Sequence, residues 1–179
     1  MISLLVAYTK NKRVIGAQGK IPWKLSSERN RFKELCADKY VIMGRKSFEE
    51  IGKPLSYCTL IVVSKTIAGP STGSGTTSCS GTTSCSGTTG KLQFANSLEE
   101  AIDFCREHGQ EEILVAGGES IYQQALPYAT RIYATEIEAD FDGDTFFPEL
   151  DNTWHSTVES THMDCGISYS YLTFVKQDI

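Results

Sequence analysis

Tyr40-Val41-Ile42-Met43-Gly44-Arg45-Lys46-Ser47 carries two structural signals in one short stretch. Tyr40 to Met43 is apolar, β-branched and brief, which marks a buried strand. Gly44 frees the backbone to turn, and Arg45, Lys46 and Ser47 follow where a helix would start. Exposed amides at that start, beside two cations, suit a phosphate. Taken alone, the same residues read equally well as a solvated basic turn.

The pattern repeats on either side. Ile2 to Tyr8, Leu60 to Val63, Ile113 to Ala116 and Ile132 to Ile137 are further short apolar runs, and Ser168 to Val175 alternates like a strand with one wetter face. Helical signals lie between them. Ser97-Leu98-Glu99-Glu100 is a capping box; Leu98, Ala101, Ile102 and Cys105 mark one apolar face, and Gly109 stops the helix. Leu25, Glu28, Phe32, Leu35 and Cys36 share one side of another helix, opened by Ser26 or Ser27. Alternating strands and helices predict an α/β fold, a sheet covered on both faces, as one domain over 1–179.

The 179 residues, 40% of them hydrophobic, can bury one core but hardly two. A net charge of −5 disfavours nucleic acid and anionic membranes as partners. The first apolar run follows no positive residue and is too short for a signal core or a span, so a cytoplasmic location is expected. Six cysteines, with no C-x-x-C or His/Cys cluster, predict free thiols and no metal site. From Gly69 to Gly90 the chain repeats Ser-Gly-Thr-Thr-Ser-Cys with nothing a core could use; a solvated surface insertion at about 66–91 is the stronger reading over metal or redox work by Cys79 and Cys85.

Chemistry concentrates in four places. In Val14-Ile15-Gly16-Ala17-Gln18-Gly19-Lys20-Ile21-Pro22-Trp23, two glycines allow a sharp bend, and Ile21, Pro22 and Trp23 supply an apolar flap. An ordinary surface turn with a buried Trp fits as well. Glu28 shares its helix face with Phe32 and Leu35; an acid turned inward there needs a partner, water or a proton, whereas a solvated first-turn Glu needs none. Arg45 and Lys46, with Ser64-Lys65 at another strand end, place cations that suit the 2′-phosphate separating NADPH from NADH. Val115-Ala116-Gly117-Gly118-Glu119-Ser120-Ile121-Tyr122 lets backbone approach a pyrophosphate, although it is not the G-x-G-x-x-G fingerprint.

In this order and spacing the motifs resemble the dihydrofolate reductase family over nearly the whole chain except roughly residues 66–91. VIGAQGKIPW, E-x-x-x-F-K at Glu28 to Lys33, VIMGRKSFEEIGKPL and VAGGESIY carry the resemblance, closed by Thr135, Asp142-Gly143-Asp144-Thr145 and Phe147-Pro148. It implies a mostly parallel eight-stranded central sheet with flanking helices, a mobile flap from Gly16 to Trp23, and a cis peptide between Gly117 and Gly118. It implies hydride transfer from NADPH to C6 of 7,8-dihydrofolate, giving tetrahydrofolate. Glu28 would grip the pterin and favour a protonated N5, Thr135 would bridge Glu28 and the pterin, Trp23 would hold a water, and Tyr122 would lie beside the nicotinamide. Leu5, Val6, Ala7, Phe32, Ile51, Leu55 and Ala116 would form the apolar walls. Arg29 departs from the family, whose helix position there more often carries an apolar residue touching the substrate; it could move a cation toward the substrate's tail. The cofactor would lie against Ala7, Ile15, Gly16, Gly19, Lys20 and Ile21, along Gly44, Arg45, Lys46, Ser47, Ser64 and Lys65, and beside Gly117, Gly118, Glu119, Ser120, Ile121, Tyr122 and Thr145. Asp144 would anchor the flap. Antifolate binding and a monomeric state also follow from the resemblance.

One departure stands out. The family's Pro-Gly-Arg, whose arginine clamps the tail's α-carboxylate, is Ser56-Tyr57-Cys58 here. A thiol cannot replace a bidentate guanidinium; Arg29, Arg31, Lys33 or Lys53 would have to compensate. Two other readings compete: a reductase of the same fold acting on another pterin or a riboflavin precursor, and a non-catalytic binding module. The E-x-x-x-F-K setting of Glu28 speaks against the first, and the intact acid and flap against the second.

Overall fold

A computed structural model describes residues 1–65 and 91–177. Ten strands alternate with four helices: β1 (Ile2–Thr9), β2 (Val14–Gly16), α1 (Ser26–Cys36), β3 (Tyr40–Gly44), α2 (Arg45–Ile51), β4 (Thr59–Val63), β5 (Lys91–Ala95), α3 (Leu98–Glu107), β6 (Ile113–Val115), α4 (Glu119–Ala125), β7 (Arg131–Ile137), β8 (Thr145–Phe146), β9 (Trp154–Asp164) and β10 (Ile167–Lys176). Eight of them form one sheet in the order β5-β4-β3-β6-β1-β7-β10-β9, while β2 and β8 pair separately. Neighbours from β5 to β7 run parallel; β10 and β9 add antiparallel pairs at the end. The sheet is therefore mostly parallel and eight-stranded, as the resemblance implies.

Period-two alternation divides the core between the two faces. Leu4, Val6, Tyr8, Ile42 and Ile61 pack against α3 and α4 through Leu98, Ile102, Ile121 and Tyr122. Leu5, Val41, Met43, Leu60 and Val62 face the other way, toward Phe32, Cys36, Phe48 and Ile51 of α1 and α2. Both faces are covered, which is why the central strands are apolar throughout.

Two elements start differently from their sequence reading. Neither Ser26 nor Ser27 caps α1: Leu25 occupies the cap position and offers no side-chain bond. The carboxylate of Asp164, at the β9–β10 turn, accepts from the Ser26 amide at 3.1 Å instead. Lys91, placed at the end of the insertion by composition, begins β5. Strands β2, β5, β8 and β9 give no apolar run to read. The repeat with Cys79 and Cys85 lies outside the described residues; Cys36, Cys58 and Cys105 are buried, Cys165 is exposed, and all four are free thiols.

Candidate active site

Parallel strands deliver their carboxyl ends to one edge of the sheet, where a crevice forms. At this edge α2 begins directly after β3 and α4 soon after β6, and β6 lies between β3 and β1. The two turns touch: the Gly44 amide donates to the Gly117 carbonyl at 2.7 Å. The Gly117–Gly118 peptide is cis. A Cβ on Gly118 would meet Ser47 Oγ at 3.1 Å. One on Gly117, whose φ is +102°, would meet the Tyr122 hydroxyl at 3.1 Å. The glycines are thus set by close backbone approach, which leaves a cradle where side chains would otherwise fill the space. Arg45 and Lys46 stand exposed on α2, Lys65 is exposed at the end of β4, and Ser64 beside it is buried. Glu119 is half-buried and Ser120 exposed at the start of α4, with Ile121 buried next to them.

On the α1 side, Leu5, Phe32, Ile51, Leu55 and Ala116 belong to one apolar cluster, so the structure brings most of the expected walls together. Ala7 packs in the adjoining cluster with Trp23 and Leu25. Val6 does not join them. It alternates to the opposite face, where its side chain packs in the cluster that includes α3 and α4. Tyr122 also sits on that far side, its hydroxyl donating to the Leu5 carbonyl at 2.7 Å.

Glu28 is half-buried. Burial pushes its carboxyl above the ordinary range, and the charges of Arg29 and Arg31 oppose that rise. Thr135 is buried opposite Ala7 in the sheet; no direct hydrogen bond joins it to Glu28 among the described residues. The indole N–H of Trp23 is buried without a protein partner, which leaves a donor for water or a ligand. Arg29, Lys33 and Lys53 are exposed, and the Lys33 ammonium lies 5.9 Å over the Tyr57 ring. Cys58 is turned into the core, where burial raises its thiol to about 11.

The flap folds back as a hairpin. Ala17 and Lys20 exchange backbone hydrogen bonds of 2.8 and 3.0 Å. Gln18 and Gly19 between them both have positive φ, 52° and 75°, as a two-residue type I′ turn requires. The Gln18 amide donates to Asp144 at 3.0 Å, and Thr145 pairs with Gly16. Trp23 is buried; Ile21, at 49% exposure, is not, and Ile15 packs on the far-side core. Sequence reasoning missed Asp164, whose capping role no local signal could announce, and Glu50, which accepts from the Ile21 amide at 2.7 Å.

A second hollow, of about 560 Å³, opens behind α1 between Ser27, Asn30, Arg31, Glu34, Tyr133 and Tyr171, away from the cradle. Among the described residues no cluster of three or more metal-capable side chains occurs, and no helix is long and apolar enough to cross a membrane.

The family model described as dihydrofolate reductase matches residues 1–176. The chain is 38% identical over 148 residues to the dihydrofolate reductase of Haemophilus influenzae, covering 83% of this chain and 79% of that one. It is 38% identical over 160 residues to that of Bacillus subtilis, covering 89% and 83%, and 33% identical over 174 residues to the type A13 enzyme of Escherichia coli, covering 97% and 94%. The cradle at the strand ends, the sheltered acid and these matches across nearly the full length agree: the chain is a member of the dihydrofolate reductase family, whose enzymes are NADPH-dependent oxidoreductases.

Proposed function

We propose that the chain reduces 7,8-dihydrofolate to tetrahydrofolate with NADPH, and that Glu28 is its essential acid. The observation that carries this reading is a half-buried carboxylate, raised by its own burial, on the helix whose Phe32 and Leu35 join the apolar cluster of Leu5, Ile51 and Ala116. When bound, NADPH supplies the hydride that forms the new C–H bond at pterin C6. The residues fit that cofactor: Gly44, Gly117 and Gly118 leave the cradle for its diphosphate, and Arg45, Lys46 and Lys65 supply charge for the 2′-phosphate.

Glu28 accepts hydrogen bonds from the pterin's 2-amino and N3 groups, which fixes the ring. Its negative charge favours the proton that N5 takes up from water as the C6=N5 bond is reduced. Trp23 offers its unpartnered indole N–H to that water. Leu5, Phe32, Ile51, Leu55 and Ala116 exclude bulk solvent from the ring, and Thr135 supports Glu28 through water. Tyr122 holds Leu5 through its hydroxyl and packs against the Gly117 turn, and would thereby back a bound nicotinamide. Antifolates would compete for the same carboxylate, and the working form is a cytoplasmic monomer.

Following NADPH absorbance with purified protein and dihydrofolate tests the reading. Turnover that saturates in both substrates is expected. Absence of turnover with dihydrofolate, with turnover on another heterocycle, would replace it.

A further inference from the structure

The flap is fastened on both flanks, and the two flanks are unequal. On one side the Gln18 amide donates to Asp144, the Asp144 amide donates to the Gly16 carbonyl at 3.1 Å, and β2 pairs with β8. Gly143 comes so close to Val14 and the Gly16 carbonyl that a Cβ would not fit. That side is a multi-bond anchor. On the other side, among the described residues, a single hydrogen bond spans the gap, from the Ile21 amide to Glu50 Oε1 at 2.7 Å.

Glu50 is exposed on α2, one residue before Ile51 of the pocket wall. Helix geometry does not call for this bond. Among the described residues no ion pair competes for the carboxylate, whereas its neighbour Glu49 pairs with Arg45. The bond closes a ring of elements. From β1 the chain runs through β2 and the flap, crosses at Ile21–Glu50 to α2, and returns through β3 and β6, which pair back to β1. That ring includes the strand ends that carry Gly44 and Gly117.

We propose that Glu50 is the catch of the flap: its carboxylate holds Ile21 across the pocket mouth during the reaction, and this bond breaks to let ligands pass while the Asp144 side acts as the hinge. The proposal rests on the reductase reading of the same pocket. Glu50 is a positioning residue here, since it acts through the flap backbone. An ionised acceptor suits the task, because it binds an amide strongly when water is kept off and exchanges readily for water at an exposed site.

The test compares Glu50→Ala with Glu50→Gln, whose amide oxygen still accepts from Ile21. Stopped-flow competition reads release of NADPH and of tetrahydrofolate, and single-turnover mixing reads hydride transfer. Glu50→Ala is expected to speed both releases about 10-fold, the scale of one charge-assisted bond, and to slow single-turnover reduction several-fold. Glu50→Gln, a neutral acceptor of roughly half the strength, should fall between the parent and Glu50→Ala, and both variants should keep the parent's thermal midpoint, which a merely structural role would move. Unchanged release from Glu50→Ala overturns the proposal; so does equal acceleration in both variants, which would assign the effect to charge alone. A parent without turnover would sink the reductase reading, and NADPH release from Glu50→Ala would still decide whether the catch exists.

Discussion

The guanidinium of Arg31 lies over Tyr171, 3.9 Å from its carbon to the ring centroid. It also donates to Glu159 at 2.9 Å, with the arginine side chain only 12% exposed. The register between β9 and β10 slips beside Tyr171, leaving Glu159 as the extra residue of a bulge, and bulges re-aim side chains. Arg31 is thereby committed behind α1 and withdrawn from the substrate's tail.

On the proposed reading, tail recognition would then fall to Arg29, Lys33 and Lys53, all exposed. Exposed ion pairs contribute about 0–1 kcal/mol. Dihydrofolate should therefore outperform a tail-less dihydropterin by less than about 10-fold in kcat/KM. Steady-state kinetics on both substrates checks this; a preference of a hundredfold would mean that a buried clamp exists.

Glu28→Gln should cut turnover at neutral pH by about 100-fold or more, with NADPH binding retained. It should also raise thermal stability. A carboxyl whose folded pKa is raised supports folding below its unfolded pKa and loses that support as pH rises through the folded value. At neutral pH the charge opposes folding, and the amide removes it. Melting curves at pH 4 and pH 7 should show the variant's advantage only at the higher pH; a lower midpoint at pH 7 would contradict the burial.

Neutralising Arg45 or Lys46 should raise KM for NADPH by about 10-fold or more while leaving NADH within a few-fold, because only the former carries a 2′-phosphate. Parallel titrations with the two cofactors decide. Equal effects would remove the assignment.

Glu112 gathers donors from three directions: Ser3 at 2.8 Å, Tyr133 at 3.2 Å, and Lys39. Burial pushes its carboxyl up, but the bonds from Lys39, Ser3 and Tyr133 outweigh this and hold it below the usual range. A depressed acid stabilises above its unfolded pKa, and that contribution is lost as pH falls through the folded value. Glu112→Gln should cost about 1–3 kcal/mol at pH 7 in urea unfolding, and the difference should shrink below pH 4. A constant difference across pH would show that packing is responsible.

What the sequence revealed follows from what local chemistry records. The central strands announced themselves because both faces are buried. Ser97 could be read as a cap, and its hydroxyl does accept from the Glu100 amide at 3.1 Å; in return the Glu100 carboxylate accepts from the Asn96 amide, one residue earlier than a capping box would place it. Strand β9 was silent because Trp-His-Ser-Thr-Val-Glu-Ser-Thr-His-Met-Asp is an exposed edge with no apolar stripe. Strands β2 and β8 span three and two residues, too few for a period to show. Around the site, the glycines and the acid were legible as motifs. Asp164 and Val6 were not, since one acts across 138 residues of chain and the other depends on which face its strand turns to the helices.

The remote cap on α1 also fixes an order of events during synthesis. Ser26 waits for Asp164, and Ser27 for a bond to Tyr169, both delivered with the closing hairpin. At roughly 5–20 residues per second, that wait lasts on the order of ten seconds. Until β10 arrives, β7 keeps a bare edge, and the helix bearing Glu28 lacks its first-turn partner. A ribosome-bound chain stalled before the hairpin would already hold the acid and both glycine turns, yet the acid's helix would settle only once β10 has emerged and paired with β7.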